Sequence, residues 1–165
     1  MTASTTSTTS GGEAAGPTDV ELFERFGGAD VDHDTKEHYR GLLQRRLLLN
    51  RCGHCGWWHH PPLPRCPRCR SDDVVATEVG GQGTVYLLTF MHQGPAAPDV
   101  DYAIPYPVAS VELDEQPGLR YTAGVVAGPV PPAIGDRVHL VWATRGDRPL
   151  PMFAVGDDRH GGGRG

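Results

Sequence analysis

The sequence predicts a mainly β protein, with an N-terminal helix, a small cysteine-knuckled ribbon and then a five-stranded barrel of OB-fold size. Three observations carry this reading. All four cysteines lie within CGHCGWWHHPPLPRCPRC (52–69) as two Cys-x-x-Cys pairs. Downstream, five apolar runs follow one another, each bounded by Gly, Pro or Asp, with no helical period long enough for a βαβ crossover. Upstream, one stretch carries apolar residues at helical spacing.

The two ends, MTASTTSTTSGGEAAG (1–16) and DDRHGGGRG, are small and polar, too poor in apolar residues to offset ordering entropy. The expected division is a disordered tail over 1–19, a helical segment over 20–50, a zinc ribbon over 51–73, an OB-fold over 74–155 and a second disordered tail over 156–165. DHDTKEHYRGLLQRR predicts a helix, with Asp34 as its cap, Glu37 completing a capping box, and Tyr39, Leu42, Leu43 and Arg46 along one side. So short a stripe is unstable alone, and the helix must dock. DVELFERFGG predicts a shorter helix ended by Gly27 and Gly28. RLLLNRC then carries the chain, extended, into the first cysteine pair.

GGQGTVYLLTFMHQ predicts a long strand with Val85, Leu87, Thr89 and Met91 on one face and Tyr86, Leu88, Phe90 and His92 on the other. Apolar residues on both faces predict cover on both sides. A Pro-rich loop, GPAAPDVDYAIPYP (94–107), cannot sit inside a sheet. VASVELDE, LRYTAGVV, DRVHLVWAT and LPMFAV supply four more strands. The glycines before the long strand suit a bulge at the barrel entry. They lack the preceding strand, following helix and lysine of a nucleotide loop. Glu112 and Asp114 alternate onto one face, the pattern of a solvated edge.

Cys52, Cys55, Cys66 and Cys69 form two knuckles whose thiolates converge as a tetrahedron, and Gly53, Gly56 and Pro67 suit the turns. Four sulfur ligands leave no open coordination position, so the site is structural rather than catalytic. Zinc is the first expectation and iron in a rubredoxin-type site the second. Two disulfides come third, because no export signal is visible and a cytoplasmic chain keeps its thiols reduced. No apolar run approaches the roughly 18 to 20 residues that span a membrane. His54, His59 and His60 are read as surface or supporting residues. Trp57 and Trp58 pack the ribbon against the barrel or helix, or else stack a base or an adenine ring. Residues 45–70 hold six arginines, Arg65 and Arg68 among them, and no acid. These arginines balance the negative charge of zinc with four thiolates, or they meet phosphate. Elsewhere nine basic residues face all 20 acids, and the net charge of −5 argues against a nucleic-acid binder.

Taken in order, the docking helix, RLLLNRCGHCG, PRCPRC, GQGTVYLLTF, PYPVASVEL and IGDRVHLVW resemble the zinc-ribbon/OB-fold acyl-CoA-associated protein family, over about residues 34 to 155. The resemblance implies a rubredoxin-like zinc ribbon followed by an OB barrel with no catalytic residues of its own. It implies a cytoplasmic subunit that binds a thiolase-like or lipid-transfer-protein-like enzyme, with an enoyl-CoA hydratase as a further partner. One structural zinc and acyl-CoA, the ligand of the complex, are its expected cofactors. Alone, such a chain is inactive; in the complex it is an essential part of an acyl-CoA aldolase (a carbon–carbon lyase) or thiolase of steroid or fatty acyl-CoA degradation. Two alternatives stand beside this, a single-stranded nucleic-acid module and a rubredoxin-like iron electron carrier. The residues do not contradict a non-catalytic role. All four cysteines are committed, and none of the five serines has a nucleophile-elbow setting. Partner or acyl-CoA contact is expected at His92, at Tyr102, Pro105 and Tyr106 of the Pro-rich loop, and at Trp57, Trp58, Arg65 and Arg68 of the ribbon.

Overall fold

A computed structural model describes residues 16–27, 31–94, 101, 103–126, 128 and 130–156. Two short helices lead into two sheets. Helix α1 (Asp19–Arg25) starts at a true capping box: Thr18 Oγ1 accepts the Glu21 N–H, and the Glu21 carboxylate accepts the Thr18 N–H at 2.7 Å. Helix α2 (Lys36–Leu43) lacks the box expected at Asp34 and Glu37. Its cap is Thr35, because Asp32 closes the entry turn by accepting the N–H groups of Asp34 and Thr35 at 2.9 Å, while Glu37 pairs with Arg40. Leu42 is buried, and Tyr39 and Leu43 pack on the core. Arg46 lies beyond the helix end, exposed and paired with Glu78 at 2.8 Å, so it is not part of the stripe. Arg40 ties the helices together through Asp19, Glu37 and the Pro17 carbonyl. Residues 16–19, placed in the tail by sequence, are therefore fastened to α2.

The first sheet has the order β2-β1-β3, built from β1 (Leu48–Cys52), β2 (Trp58–His59) and β3 (Val74–Glu78). Strand β3 pairs with β1 along its whole length, from Cys52 opposite Val74 to Leu48 opposite Glu78. The ribbon's sheet thus reaches five residues past the expected boundary at 73/74, and the chain enters the barrel at Val79, whose N–H donates to the Leu47 carbonyl.

Five strands close the barrel in the order β4-β5-β6-β8-β7: β4 (Gln82–Met91), β5 (Tyr106–Leu113), β6 (Arg120–Val125), β7 (Arg137–Arg145) and β8 (Arg148–Val155). All barrel pairings are antiparallel except β6 with β8. Strand β5 alternates strictly between buried and half-buried residues. Val85, Val111, Leu113, Val125, Val138 and Phe153 fill the interior, and Leu22 of α1, Leu42 of α2 and Leu49 of β1 join the same core. Burial of this single cluster is what holds helices, ribbon and barrel together.

Two sequence expectations about β4 are overturned. The glycines mark close approaches rather than the bulge: a Cβ on Gly83 would lie 2.5 Å from the Glu112 carbonyl oxygen. The register shift falls between Val85 and Leu87. Val85 stands opposite Val111 and Leu88 opposite Ala109, both inward residues, so the extra residue moves Leu88 onto the inner face and leaves Leu87 outside. This chain leaves part of β4 uncovered, since Tyr86, Leu87, Phe90 and Met91 are all exposed. Strand β7 runs beside β4 only from Gln82 to Thr84. Glu112 and Asp114 do not mark a free edge either. Strand β5 is flanked on both sides, and these carboxylates pair with Arg120 and Arg137.

Candidate metal centre and the ribbon–barrel junction

The sulfurs of Cys52, Cys55, Cys66 and Cys69 all lie within 4.8 Å of one another, with Cys52 to Cys69 and Cys55 to Cys66 at 3.6 Å. Zinc–sulfur bonds of about 2.3 Å in a tetrahedron set sulfurs roughly 3.8 Å apart, so the donor set fits one structural zinc. The two knuckles share one backbone device. Gly56 N–H donates to the Cys52 carbonyl and Arg70 N–H to the Cys66 carbonyl, both at 2.9 Å, and both residues take left-handed φ, +73° and +67°. Glycine does this freely, whereas Arg70 does it under strain.

Electrostatics also ask for a cation. Burial opposes the Cys66 thiolate, but the N–H groups of Cys69 and Arg68 and the neighbouring thiols bring its pKa down to about 7. At Cys69 the Ser71 N–H favours the thiolate, yet burial and the three neighbouring sulfurs push it up to about 12. Four thiols this close cannot all ionise alone; a bound Zn²⁺ supplies the charge that lets them.

Around the centre the tryptophans are engaged. Arg68 lies over Trp57 at 5.0 Å and Arg51 over Trp58 at 5.5 Å. Trp58 packs against the core, and its backbone is bracketed by the Gln116 side chain on the turn after β5. Gln116 is a junction residue that no sequence signal marked. Arg65 is exposed.

A second cluster fills the seam between α2, the loop after β2, and β6. The rings of His38, His60 and Tyr121 lie 5.2 to 5.9 Å apart and line an open groove of about 520 Å³ with Thr35, Tyr39 and Arg120. His38 Nδ1 lies 2.8 Å from the Leu48 carbonyl, which can only accept, so that nitrogen carries the proton. Burial holds His38 below the usual histidine range and, with His38 and His59 nearby, takes His60 down to about 4. Both rings are neutral at neutral pH. Burial, with Tyr39 nearby, pushes Tyr121 up to about 12. His59 is buried, and among the described residues neither of its ring nitrogens has a partner.

The expected contact residues separate into groups. Tyr102 lies outside the described residues. Pro105 is exposed; Tyr106 is half-buried and leans on Gly124, where a Cβ would come within 2.9 Å of its Cζ. His92 is exposed just past β4. The ribbon residues Trp57, Trp58, Arg65 and Arg68 gather near the thiols, while His92, Pro105 and Tyr106 lie at the far end of the β4–β5 pair. Leu87, Phe90 and Ile104 are exposed apolar residues at that far end.

Known proteins share this arrangement. Two family models match in tandem, the ChsH2 rubredoxin-like zinc ribbon domain over residues 40–75 and the ChsH2 C-terminal OB-fold domain over residues 76–143. The chain is 35% identical over 125 residues to a "Probable enoyl-CoA hydratase alpha subunit" of Thermomonospora curvata, covering 74% of this chain and 38% of that protein. It is 33% identical over 72 residues to a "DUF35 domain-containing scaffold protein" of Pyrococcus furiosus, covering 44% of this chain and 51% of that protein. The chain thus spans between 38% and 51% of the length of these two curated relatives. Among solved structures, a chain of an Ltp2-ChsH2(DUF35) aldolase matches with a TM-score of 0.67 at 35% identity, covering 77% of this chain and 98% of that one. A DUF35-family protein of unknown function from Sulfolobus solfataricus matches at 0.53 and 17% identity, covering 84% and 95%, which shows the fold alone.

Proposed function

The chain belongs to the ChsH2 zinc-ribbon and OB-fold family of DUF35 proteins, and from that premise we propose that it is a non-catalytic subunit of an acyl-CoA-handling complex. Its partner is a thiolase-like enzyme of the lipid-transfer-protein type. The complex carries out retro-aldol cleavage or thiolysis of a steroid or fatty acyl-CoA. One observation carries this reading: the match to a chain of an Ltp2-ChsH2(DUF35) aldolase extends over 98% of that chain and 77% of this one.

In this reading Cys52, Cys55, Cys66 and Cys69 hold one zinc, which fixes the ribbon and does no chemistry. The ribbon's stacked tryptophans and arginines support a rigid clip more than a surface for nucleic-acid bases. The far end of the barrel, with His92, Pro105, Tyr106 and the exposed half of β4, is the docking side, and Tyr102 belongs to the same loop. Arg65 and Arg68 meet CoA phosphates.

The test is reconstitution. The zinc-loaded chain alone turns over no acyl-CoA; with a lipid-transfer-protein-like enzyme from its own cell it co-purifies, and acyl-CoA cleavage rises. Tyr102→Ala with Tyr106→Ala weakens the complex without loss of zinc. Failure to bind any such enzyme, or tight single-strand binding abolished by Trp57→Ala with Trp58→Ala, overturns the reading.

A further inference from the structure

Strand β4 outruns one of its neighbours. It pairs with β5 from Gly83 to Met91, but with β7 only from Gln82 to Thr84. The last link on the β7 side is Val85, whose N–H donates to the Asp136 carbonyl and whose carbonyl accepts the Gly135 N–H, both at 2.9 Å. From Tyr86 to Met91, no strand among the described residues lies on that side.

Pro107 settles which main-chain groups are left over. Phe90 stands directly opposite Pro107. Opposed residues in an antiparallel pair exchange both hydrogen bonds or neither, and proline has no N–H to give. The N–H and C=O of Phe90 therefore point away from β5, toward the open side, and those of Leu88, two residues back in the same register, do likewise. The flanking side chains are apolar and uncovered, with Leu87 53% and Phe90 41% exposed.

Exposed edges are normally guarded by charge, proline or brevity. The ribbon obeys this: β2 has two residues, and β3 follows Asp72 and Asp73 and ends at Glu78. Among the described residues the open half of β4 has no guard. From Gln82 to Gly94 the sequence holds no Asp, Glu, Lys or Arg, in a chain of net charge −5. Unpaired main-chain donors and acceptors call for another main chain, and an uncharged edge suits an uncharged strand.

We infer that the open side of β4 is completed by an extended, uncharged strand of the partner enzyme, hydrogen-bonded to the main chain of Leu88 and Phe90. The inference rests on the proposed function for its partner, and it adds the mode of docking. Affinity comes from the backbone pairing, and the side chains of Leu87 and Met91 discriminate among strands.

Amide hydrogen exchange on the full, zinc-loaded chain tests it, alone and with the lipid-transfer-protein-like enzyme of the reconstitution as the probe. Leu88 and Phe90 amides slow at least ten-fold in the complex. Phe90→Pro, which removes only the outward N–H from the ladder, weakens binding at least ten-fold with zinc content unchanged, whereas Phe90→Leu binds normally. A complex in which these two amides exchange as in the free chain overturns the inference and leaves the proposed function standing. Protection that grows with the concentration of the chain alone assigns the edge to a second copy and overturns it too. If no such enzyme binds the unmodified chain, the inference and the function it rests on both fail.

Discussion

The side-chain amide of Gln116 brackets the backbone of Trp58, accepting its N–H at 2.9 Å and donating to its carbonyl at 3.1 Å. It stands in for a strand residue and ties ribbon to barrel. Gln116→Ala leaves two part-buried backbone groups unpaired and costs about 1–3 kcal/mol. Gln116→Glu loses the donor and repels the Trp58 carbonyl, so it costs at least as much. Denaturant unfolding of both variants checks this, and a loss below the experimental error would refute the clamp.

Metal analysis gives one zinc per chain and a colourless protein. Cys66→Ala, or strong chelation, unfolds the ribbon, because zinc binding supplies on the order of 10 kcal/mol of folding energy to such knuckles. Near-ultraviolet circular dichroism at Trp57 and Trp58 follows the loss. A metal-free chain with an unchanged melting temperature contradicts the prediction.

The matching left-handed residues of the two knuckles respond in opposite directions. Gly56→Ala forces a Cβ into φ +73° and destabilises by about 1–2 kcal/mol. Arg70→Gly relieves the same strain and stabilises by up to about 1 kcal/mol, less the entropy that glycine adds to the unfolded chain. Zinc-competition titrations rank the three proteins, and equal affinities refute the strain.

The neutral histidines of the groove make the fold acid-sensitive. Their folded pKa values lie below the ordinary 6.5, so the unfolded chain binds more protons once the pH drops under that value. The stability they allow is fully present above about pH 6.5 and declines as the pH falls toward about 4. Comparison of the wild type with His60→Phe separates this from acid release of zinc, which both proteins share. Parallel melting curves between pH 7 and pH 4.5 for the two proteins show that His60 has no such role.

Much of this was legible in the chain. The Cys-x-x-Cys spacing specifies knuckles because ligand geometry is local, and the five barrel strands are delimited by Gly, Pro and Asp within a few residues of where they occur. What escaped depends on partners distant in sequence. The bulge between Val85 and Leu87 reverses a face assignment made by strict alternation, and only the register with β5 reveals it. Val74–Glu78 reads equally well as a barrel strand until β1 claims it. Asp34 and Glu37 have capping spacing, but Asp32 takes the turn first. Gln116 sits 58 residues from Trp58, beyond the reach of any periodicity.

Closure of the barrel by β8 also sets an order of assembly during synthesis. The cysteines that define the ribbon lie within 17 residues of one another, so this unit is complete while most of the barrel has yet to be made. The barrel's seams join Gln82 to His139 and Gly124 to Met152, contacts that cannot exist until the last two strands are translated. Pulsed exchange during refolding should therefore protect Cys52 and Val74 amides before those of Val125 and Phe153, in keeping with the slower formation of non-local pairings. Simultaneous protection would contradict that sequence. A ribosome-bound chain lacking β8 therefore has all four cysteines in place before a finished barrel exists.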